Sequence, residues 1–96
     1  MFTPLTAKVT LVNKRGLHAR ASAKFMATAS GFDAIVKVTS HNTCGAETVV
    51  ADSIMELLML GSAVGEQLTI SAAGVEAKAA LAALVELVEG GFDEDE

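Results

Sequence analysis

The feature that most constrains the fold is the alternation of short strand and helix patterns along 96 residues, with few residues between them. Mixed polar and β-branched segments predict four strands, over residues 6–12, 34–39, 46–51 and 66–71. Good helix formers with helically spaced apolar residues predict three helices, over residues 19–30, 54–60 and 75–89. The order β-α-β-β-α-β-α favours helices that cover a sheet. We therefore predict an α/β (α+β) open-faced sandwich, a four-stranded antiparallel sheet with three helices on one face.

The spacing of apolar residues predicts which side chains are buried. Ala21, Phe25 and Ala29 form one stripe of the first helix, which Gly31 ends. Leu68 and Ile70 point inward from the fourth strand. The inward stripe of the last helix is predicted to comprise Val75, Leu81, Leu84, Val85 and Val88.

A chain of this length predicts one small domain over residues 1–96, with no repeat and no internal boundary. Gly90 and Gly91 end the last helix. The residues from about 90 to 96, with Phe92 among them, are expected to form a frayed acidic tail.

Composition argues against several classes of protein. No segment approaches the ~20 apolar residues that span a bilayer, and the N-terminus lacks the basic and apolar parts of a signal peptide, so we predict no membrane insertion. A net charge of −5 argues against nucleic-acid binding. The single cysteine, Cys44, cannot form an internal disulfide and suits a reducing compartment. We expect a cytoplasmic monomer.

Basic residues surround a histidine at the start of the first predicted helix. Residues 1–32 carry five basic residues and no acid, whereas residues 33–96 carry twelve acids and two basic residues. His18 and Arg20 lie where a loop meets the helix, and a helix N-terminus offers N–H donors and a partial positive charge. Arginine adds a planar fork of donors. The segment therefore predicts a site for a phosphoryl group or another anion.

Two other polar segments, around Ser53 and around His41 and Cys44, carry less chemistry. Asp52 or Ser53 can cap the start of the second predicted helix, and Glu56 is placed as the capping-box partner of Ser53. His41 and Cys44 lie three residues apart in a predicted turn over residues 40–45, and a structural zinc site needs four ligands. We interpret both as turn residues and predict no metal and no cofactor.

Two motifs in this order resemble HPr, the histidine-containing phosphocarrier family of the bacterial phosphoenolpyruvate-dependent phosphotransferase system. The first is residues 16–20, Gly-Leu-His-Ala-Arg, followed by an alanine-rich helix with Phe25. The second is residues 52–61, which contain Ser-Ile-Met and Leu-Met-Leu-Gly. Residues 65–70 and 74–84 match the family's last strand and helix. The resemblance covers nearly all of the chain except its termini.

The resemblance implies a role for each polar site residue. His18 would accept a phosphoryl group on Nδ1 from phospho-enzyme I and pass it to an EIIA domain in sugar transport, as a carrier and not an enzyme. The nucleophile must be the neutral imidazole, which a helix N-terminus and Arg20 favour over the cation. Arg20 would neutralise phosphoryl oxygens. Ser53 would be the regulatory serine phosphorylated by HPr kinase/phosphorylase, gaining about −1.5 to −2 charges.

A docking surface beside His18 is also implied. Ile54, Met55 and Met59 lie on a short helix whose apolar residues cannot all face inward, so some should be exposed and adaptable. Ala19 and Lys24 complete the predicted partner contacts. A solvated lysine is the alternative for Lys24.

Other functions and two departures from the family stay open. The alternatives are a nitrogen-type regulatory phosphocarrier and a small anion-binding regulatory module without phosphotransfer. A paralogue that uses only Ser53 is disfavoured, because such paralogues lack the histidine. Ala21 stands where the family usually has proline, which suits a first helical turn because its missing N–H would be unpaired there. The turn between the second and third strands is expected to be longer than in the family.

Overall fold

The computed structural model describes residues 3–42, 45–51, 53–60 and 63–93. Its strands and helices follow the predicted order, and their bounds are β1 (Leu5–Thr10), α1 (Ala19–Ser30), β2 (Ile35–Asn42), β3 (Gly45–Val50), α2 (Ile54–Met59), β4 (Gln67–Ala73) and α3 (Ala77–Glu89).

The four strands form one sheet in the order β1-β4-β2-β3, and every neighbouring pair is antiparallel. The register places Ile70 of β4 between Ala7 of β1 and Val38 of β2. Strands that are not sequence neighbours therefore pair at the centre, and β1 and β3 lie at the two edges. The predicted open-faced sandwich with an antiparallel sheet and three helices is confirmed.

The core lies between the sheet and the helices. Ala21, Phe25 and Ala29 are buried along α1, as their spacing predicted. Leu68 and Ile70 are fully buried on β4, which confirms the predicted alternation. Burying one such side chain stabilises the fold by about 1.5–3 kcal/mol.

The predicted stripe of α3 is wrong at its first position. Val75 precedes the helix and is 73% exposed, whereas Leu84 and Val88 are fully buried. The reason is Gly74, which has φ +135° and turns the chain before α3 begins at Ala77. A Cβ at Gly74 would lie 3.0 Å from backbone atoms of residues 33 and 34.

The connection between β2 and β3 also differs from the prediction. β2 continues through His41 to Asn42, and Asn42 pairs with Gly45. Two residues therefore separate the strands, and the predicted turn over residues 40–45 is wrong at residues 40–42 and 45, which lie in strands. Cys44 lies outside the described residues, whereas His41 Nε2 and Thr69 Oγ1 are 2.6 Å apart on neighbouring strands.

The C-terminal segment is held more firmly than the sequence suggested. Phe92 is fully buried although its φ of +58° is rare for a residue with a side chain. The predicted frayed tail therefore does not include Phe92, and residues 94–96 lie outside the described chain. Within the ranges that the structure describes, no helix has the length and apolarity needed to cross a membrane.

Candidate functional site

A tight loop brings the chain from β1 to the candidate site. Asn13 is buried, and its Nδ2 donates to the carbonyl oxygen of Gly16 at 2.8 Å. The N–H of Gly16 donates in return to the Asn13 carbonyl oxygen at 3.1 Å. Gly16 has φ +63°, a conformation that costs a residue with a Cβ about 1–2 kcal/mol. The loop thus delivers Leu17 and His18 in one defined orientation.

His18 is the N-cap of α1. Its backbone is extended, with φ −79° and ψ −177°, and its Nδ1 accepts a hydrogen bond from the Arg20 N–H at 3.2 Å. An N–H donor requires a lone pair on Nδ1, so the neutral ring carries its proton on Nε2. The geometry therefore directs the Nδ1 lone pair toward the N-terminus of α1, whose partial positive charge favours an anion.

Buried neighbours fix the backbone of His18 while the ring stays half-buried. The Ser22 N–H donates to the His18 carbonyl oxygen at 2.8 Å, and Ser22 Oγ donates to the Leu17 carbonyl oxygen at 3.3 Å. Leu17, Ala21 and Ser22 are all buried. A side chain mounted on such a packed segment is positioned before any partner arrives.

The charges around His18 are cationic. Lys14, Arg15 and Arg20 are exposed, and the first turn of α1 contains no acidic residue. Arginine guanidinium groups suit bidentate contacts with phosphoryl oxygens. Because Arg20 belongs to the same helical turn as the His18 cap, its charge lies on the element that would carry the phosphoryl group.

Lys24 makes a contact within the chain that neither the predicted partner contact nor the solvated alternative includes. Its Nζ donates to the Phe92 carbonyl oxygen at 2.6 Å, and the side chain is half-buried. Gly91 beside it lies against Val12 and Asn13, since a Cβ there would lie 3.7 and 3.8 Å from their side chains. The C-terminal turn, Gly91–Asp93, therefore supports both α1 and the loop that precedes His18.

Ser53 caps α2 as predicted. Its backbone is extended, and its Oγ accepts a hydrogen bond from the Glu56 N–H at 3.4 Å. The bond is long, so its contribution lies at the low end of the ~0.5–2 kcal/mol of a helix cap. Asp52, the alternative cap, lies outside the described residues.

The short helix α2 packs against α1 and exposes methionine side chains. Leu57 is fully buried, whereas Met55 is 66% exposed and Met59 is 75% exposed. Ile54 is half-buried, and Ala19 on α1 is exposed. Flexible thioether side chains repack against different surfaces, so this Met55–Met59 patch is suited to transient docking.

Sequence reasoning missed two residues that build the site. The sequence patterns single out no role for Asn13 and place Phe92 in a frayed tail. In the structure Asn13 fixes the loop before His18, and Phe92 carries the carbonyl that binds Lys24. The Asn-x-x-Gly spacing could have indicated the first as a turn with its own side-chain bond. Among the described residues, no group of three His, Cys, Asp or Glu side chains is placed to hold a metal ion.

The sequence is similar to a known protein family and to several of its members. The family described as "PTS HPr component phosphorylation site" matches residues 5–90. Phosphocarrier protein NPr of Escherichia coli (strain K12) is 42% identical over 87 residues, 91% of this chain and 93% of the relative. Phosphocarrier protein HPr of Neisseria meningitidis serogroup B is 40% identical over 92 residues, 96% of this chain and 99% of the relative.

A solved structure is similar along nearly the whole chain. HPr-C-His from Thermoanaerobacter tengcongensis superposes with a TM-score of 0.84 at 36% identity, covering 96% of this chain and 99% of that one. The chain thus has a four-stranded open sheet and a histidine at the N-cap of α1. Its alignment with the Escherichia coli relative covers 91% of the chain at 42% identity. The chain belongs to the HPr family of phosphotransferase-system phosphocarriers.

Proposed function

We propose that His18 is the phosphoryl acceptor, taking the group from phospho-enzyme I and passing it to an EIIA domain. The observation that carries this proposal is the hydrogen bond from the Arg20 N–H to His18 Nδ1, because an acceptor there makes Nδ1 the unprotonated ring nitrogen at the start of α1. The chain then acts as a protein substrate and donor, without turnover of a small molecule. The single cysteine fits our expectation of a cytoplasmic location.

The transfer forms a nitrogen–phosphorus bond on His18 and breaks the bond that holds the phosphoryl group on enzyme I. As the phosphoryl group arrives, the hydrogen bond from the Arg20 N–H to Nδ1 breaks and the freed lone pair attacks phosphorus. The donor atom of enzyme I leaves with the electron pair of its broken bond to phosphorus. The proton on Nε2 of His18 stays in place. Once Nδ1 is phosphorylated it no longer accepts from the Arg20 N–H, and a phosphoryl oxygen takes that N–H instead.

Arg20 stabilises the charge of the transferred group. Phosphoryl transfer depends chiefly on positioning and on stabilising charge, which a guanidinium in the first turn of α1 provides. Replacing Arg20 by Met should slow transfer by about tenfold, equivalent to ~1.4 kcal/mol of barrier. Arg15→Met is the matched control, because Arg15 is also exposed but lies in the preceding loop.

Labelled phosphoenolpyruvate with enzyme I tests the acceptor. His18→Ala should abolish incorporation, and His41→Ala, which removes the second of the chain's two histidines, should leave it intact. Label that persists in the His18 variant contradicts the proposal, because another residue then takes the phosphoryl group. A parent chain that takes up no label also contradicts it and favours an anion-binding module without phosphotransfer.

We also propose Ser53 as the target of an HPr kinase/phosphorylase that regulates docking. Its Oγ caps α2 next to the exposed Met55–Met59 patch, so a phosphate there would place negative charge against an apolar docking surface. Ser53→Asp should slow transfer from enzyme I while Ser53→Asn, which keeps a cap without charge, should not. The free energy of unfolding of both variants should differ from that of the parent by less than about 0.5 kcal/mol. Equal transfer rates in the two variants argue against charge-based regulation.

Two branches of the phosphotransferase system are compatible with the relatives. Proteins named NPr and proteins named HPr match at 42% and 40% identity, which does not separate them. We propose the sugar-uptake branch because the motifs around His18 and Ser53 resemble HPr, with the nitrogen-type regulatory branch as the alternative. Transfer rates from the phosphorylated chain to purified EIIA domains of each branch decide between them, and faster transfer to the nitrogen-type domain overturns our choice.

A further inference from the structure

The edge of the sheet at β1 has backbone groups with which a further strand can pair. β1 pairs with β4 along its whole length, from Leu5 opposite Ala72 to Thr10 opposite Gln67. No strand within the described ranges pairs with its other side, which ends the sheet. Alternate N–H and carbonyl groups of β1 therefore face outward, the arrangement to which an extended segment can add as a further strand.

An apolar groove lies beside this edge, between β1 and α3. Its volume is about 690 Å³, and its apolar lining comprises Leu5, Ala7, Leu81, Ala82 and Val85. Leu5 is 42% exposed although it shares the inward face of β1 with the buried Val9. The groove occupies the place that the inward side chains of a fifth strand would fill.

The ends of the groove carry opposite charges. Lys78 borders it at the start of α3, and Glu86 and Glu89 border it near the end of that helix. Because Gly91 lies against Val12, α3 ends beside the chain that leaves β1, and the two elements run in the same direction. The carboxylates therefore lie toward the C-terminal end of β1 and the ammonium group toward its beginning.

We propose that β1 and this groove bind an extended segment of another protein as a fifth, antiparallel strand. Antiparallel pairing is slightly more stable than parallel pairing per residue. Alternate apolar side chains of the segment fill the groove. A basic residue near its N-terminal end meets Glu86 and Glu89, and an acidic residue near its C-terminal end meets Lys78.

A second copy of the chain fits this groove less well. If the β1 strands of two copies paired, Leu5, Ala7 and Val9 would point into each groove, whereas Lys8 points to the opposite face. The inward face of β1 in a second copy therefore has no basic side chain that could contact Glu86 and Glu89. Charge complementarity favours a different protein as the occupant.

Display selection of random nonapeptides against the full chain, followed by synthesis of the enriched peptides, tests the proposal. Enriched peptides should alternate apolar and polar residues, with a basic residue early and an acidic one late. NMR should show that they slow hydrogen exchange at alternate amides of β1. Ala82→Arg, which fills the groove from an exposed position, should weaken binding at least tenfold. Ala79→Arg, exposed on α3 but outside the groove lining, should not.

Three results would overturn the inference. One is a selection that yields no binder, or binders that change NMR chemical shifts in α1 and α2 and not in β1. Another is equal binding by the two arginine variants. The third is sedimentation showing a dimer that Ala82→Arg dissociates, since a second copy would then occupy the groove. Transfer of phosphate through His18 should be unchanged in Ala82→Arg, so failure here is separable from failure of the proposed carrier role.

Discussion

The contact between Lys24 and Phe92 gives the sharpest stability prediction. Lys24→Met keeps most of the side-chain stem but removes the ammonium group that donates to the Phe92 carbonyl oxygen at 2.6 Å. Hydrogen bonds to charged groups stabilise proteins by about 1.5–3 kcal/mol, and a half-buried pair belongs at the lower end. We expect the free energy of unfolding to fall by about 1.5 kcal/mol.

Urea denaturation followed by circular dichroism measures this loss. In a domain of this size the melting temperature should fall by about 6–12 °C, since ~1 kcal/mol shifts it by ~4–8 °C. Lys78→Met is the matched control, because Lys78 is an exposed lysine on α3, and it should change stability by less than about 0.5 kcal/mol.

The same variant separates the two interpretations of Lys24. If stability is unchanged while the KM of enzyme I for the variant rises, Lys24 is a docking residue and the reasoning from its contact is refuted. If stability falls and the KM measured well below the melting temperature is unchanged, the lysine supports the C-terminal turn and does not contact the partner.

Two further predictions concern residues with positive φ. Gly16→Ala should lower the free energy of unfolding by about 1–2 kcal/mol, because alanine is strained at φ +63°. Gly31→Ala, at φ −76°, is the control and should change it by less than about 0.5 kcal/mol. Equal melting temperatures of the two variants would contradict the role of the loop. Phe92→Ala should cost about 3–5 kcal/mol in urea denaturation because the side chain is fully buried, and the exposed Val75→Ala should cost less than about 0.5 kcal/mol. A loss below 1 kcal/mol for Phe92→Ala would show that the C-terminal turn adds little to the core.

Local patterns predicted most of the fold. The spacing of Ala21, Phe25 and Ala29 identified the buried face of α1, and the alternation around Leu68 and Ile70 identified that of β4. Both patterns arise because one face of each element meets the core, so they can be read from neighbouring residues. The position of His18 at a helix start followed from the helix formers after it.

Features set by distant contacts could not be predicted in this way. Phe92 is followed by four acidic residues in a row, which is typical of a solvated tail, but its carbonyl binds Lys24 from 68 positions earlier in the chain. Val75 is predicted to join the α3 stripe, yet Gly74 places it outside the helix. The length of β2 depends on its register with β3 and β4, which local composition does not determine.

The most direct test of the central claim is the site of phosphorylation within the His18 ring. The chain labelled with ¹⁵N in its histidines, phosphorylated by phosphoenolpyruvate and enzyme I, should show nitrogen–phosphorus coupling at Nδ1 of His18 and a protonated Nε2. That result is expected because Nδ1 accepts from the Arg20 N–H before the reaction. Coupling at Nε2, or phosphate on His41 instead, would contradict the account.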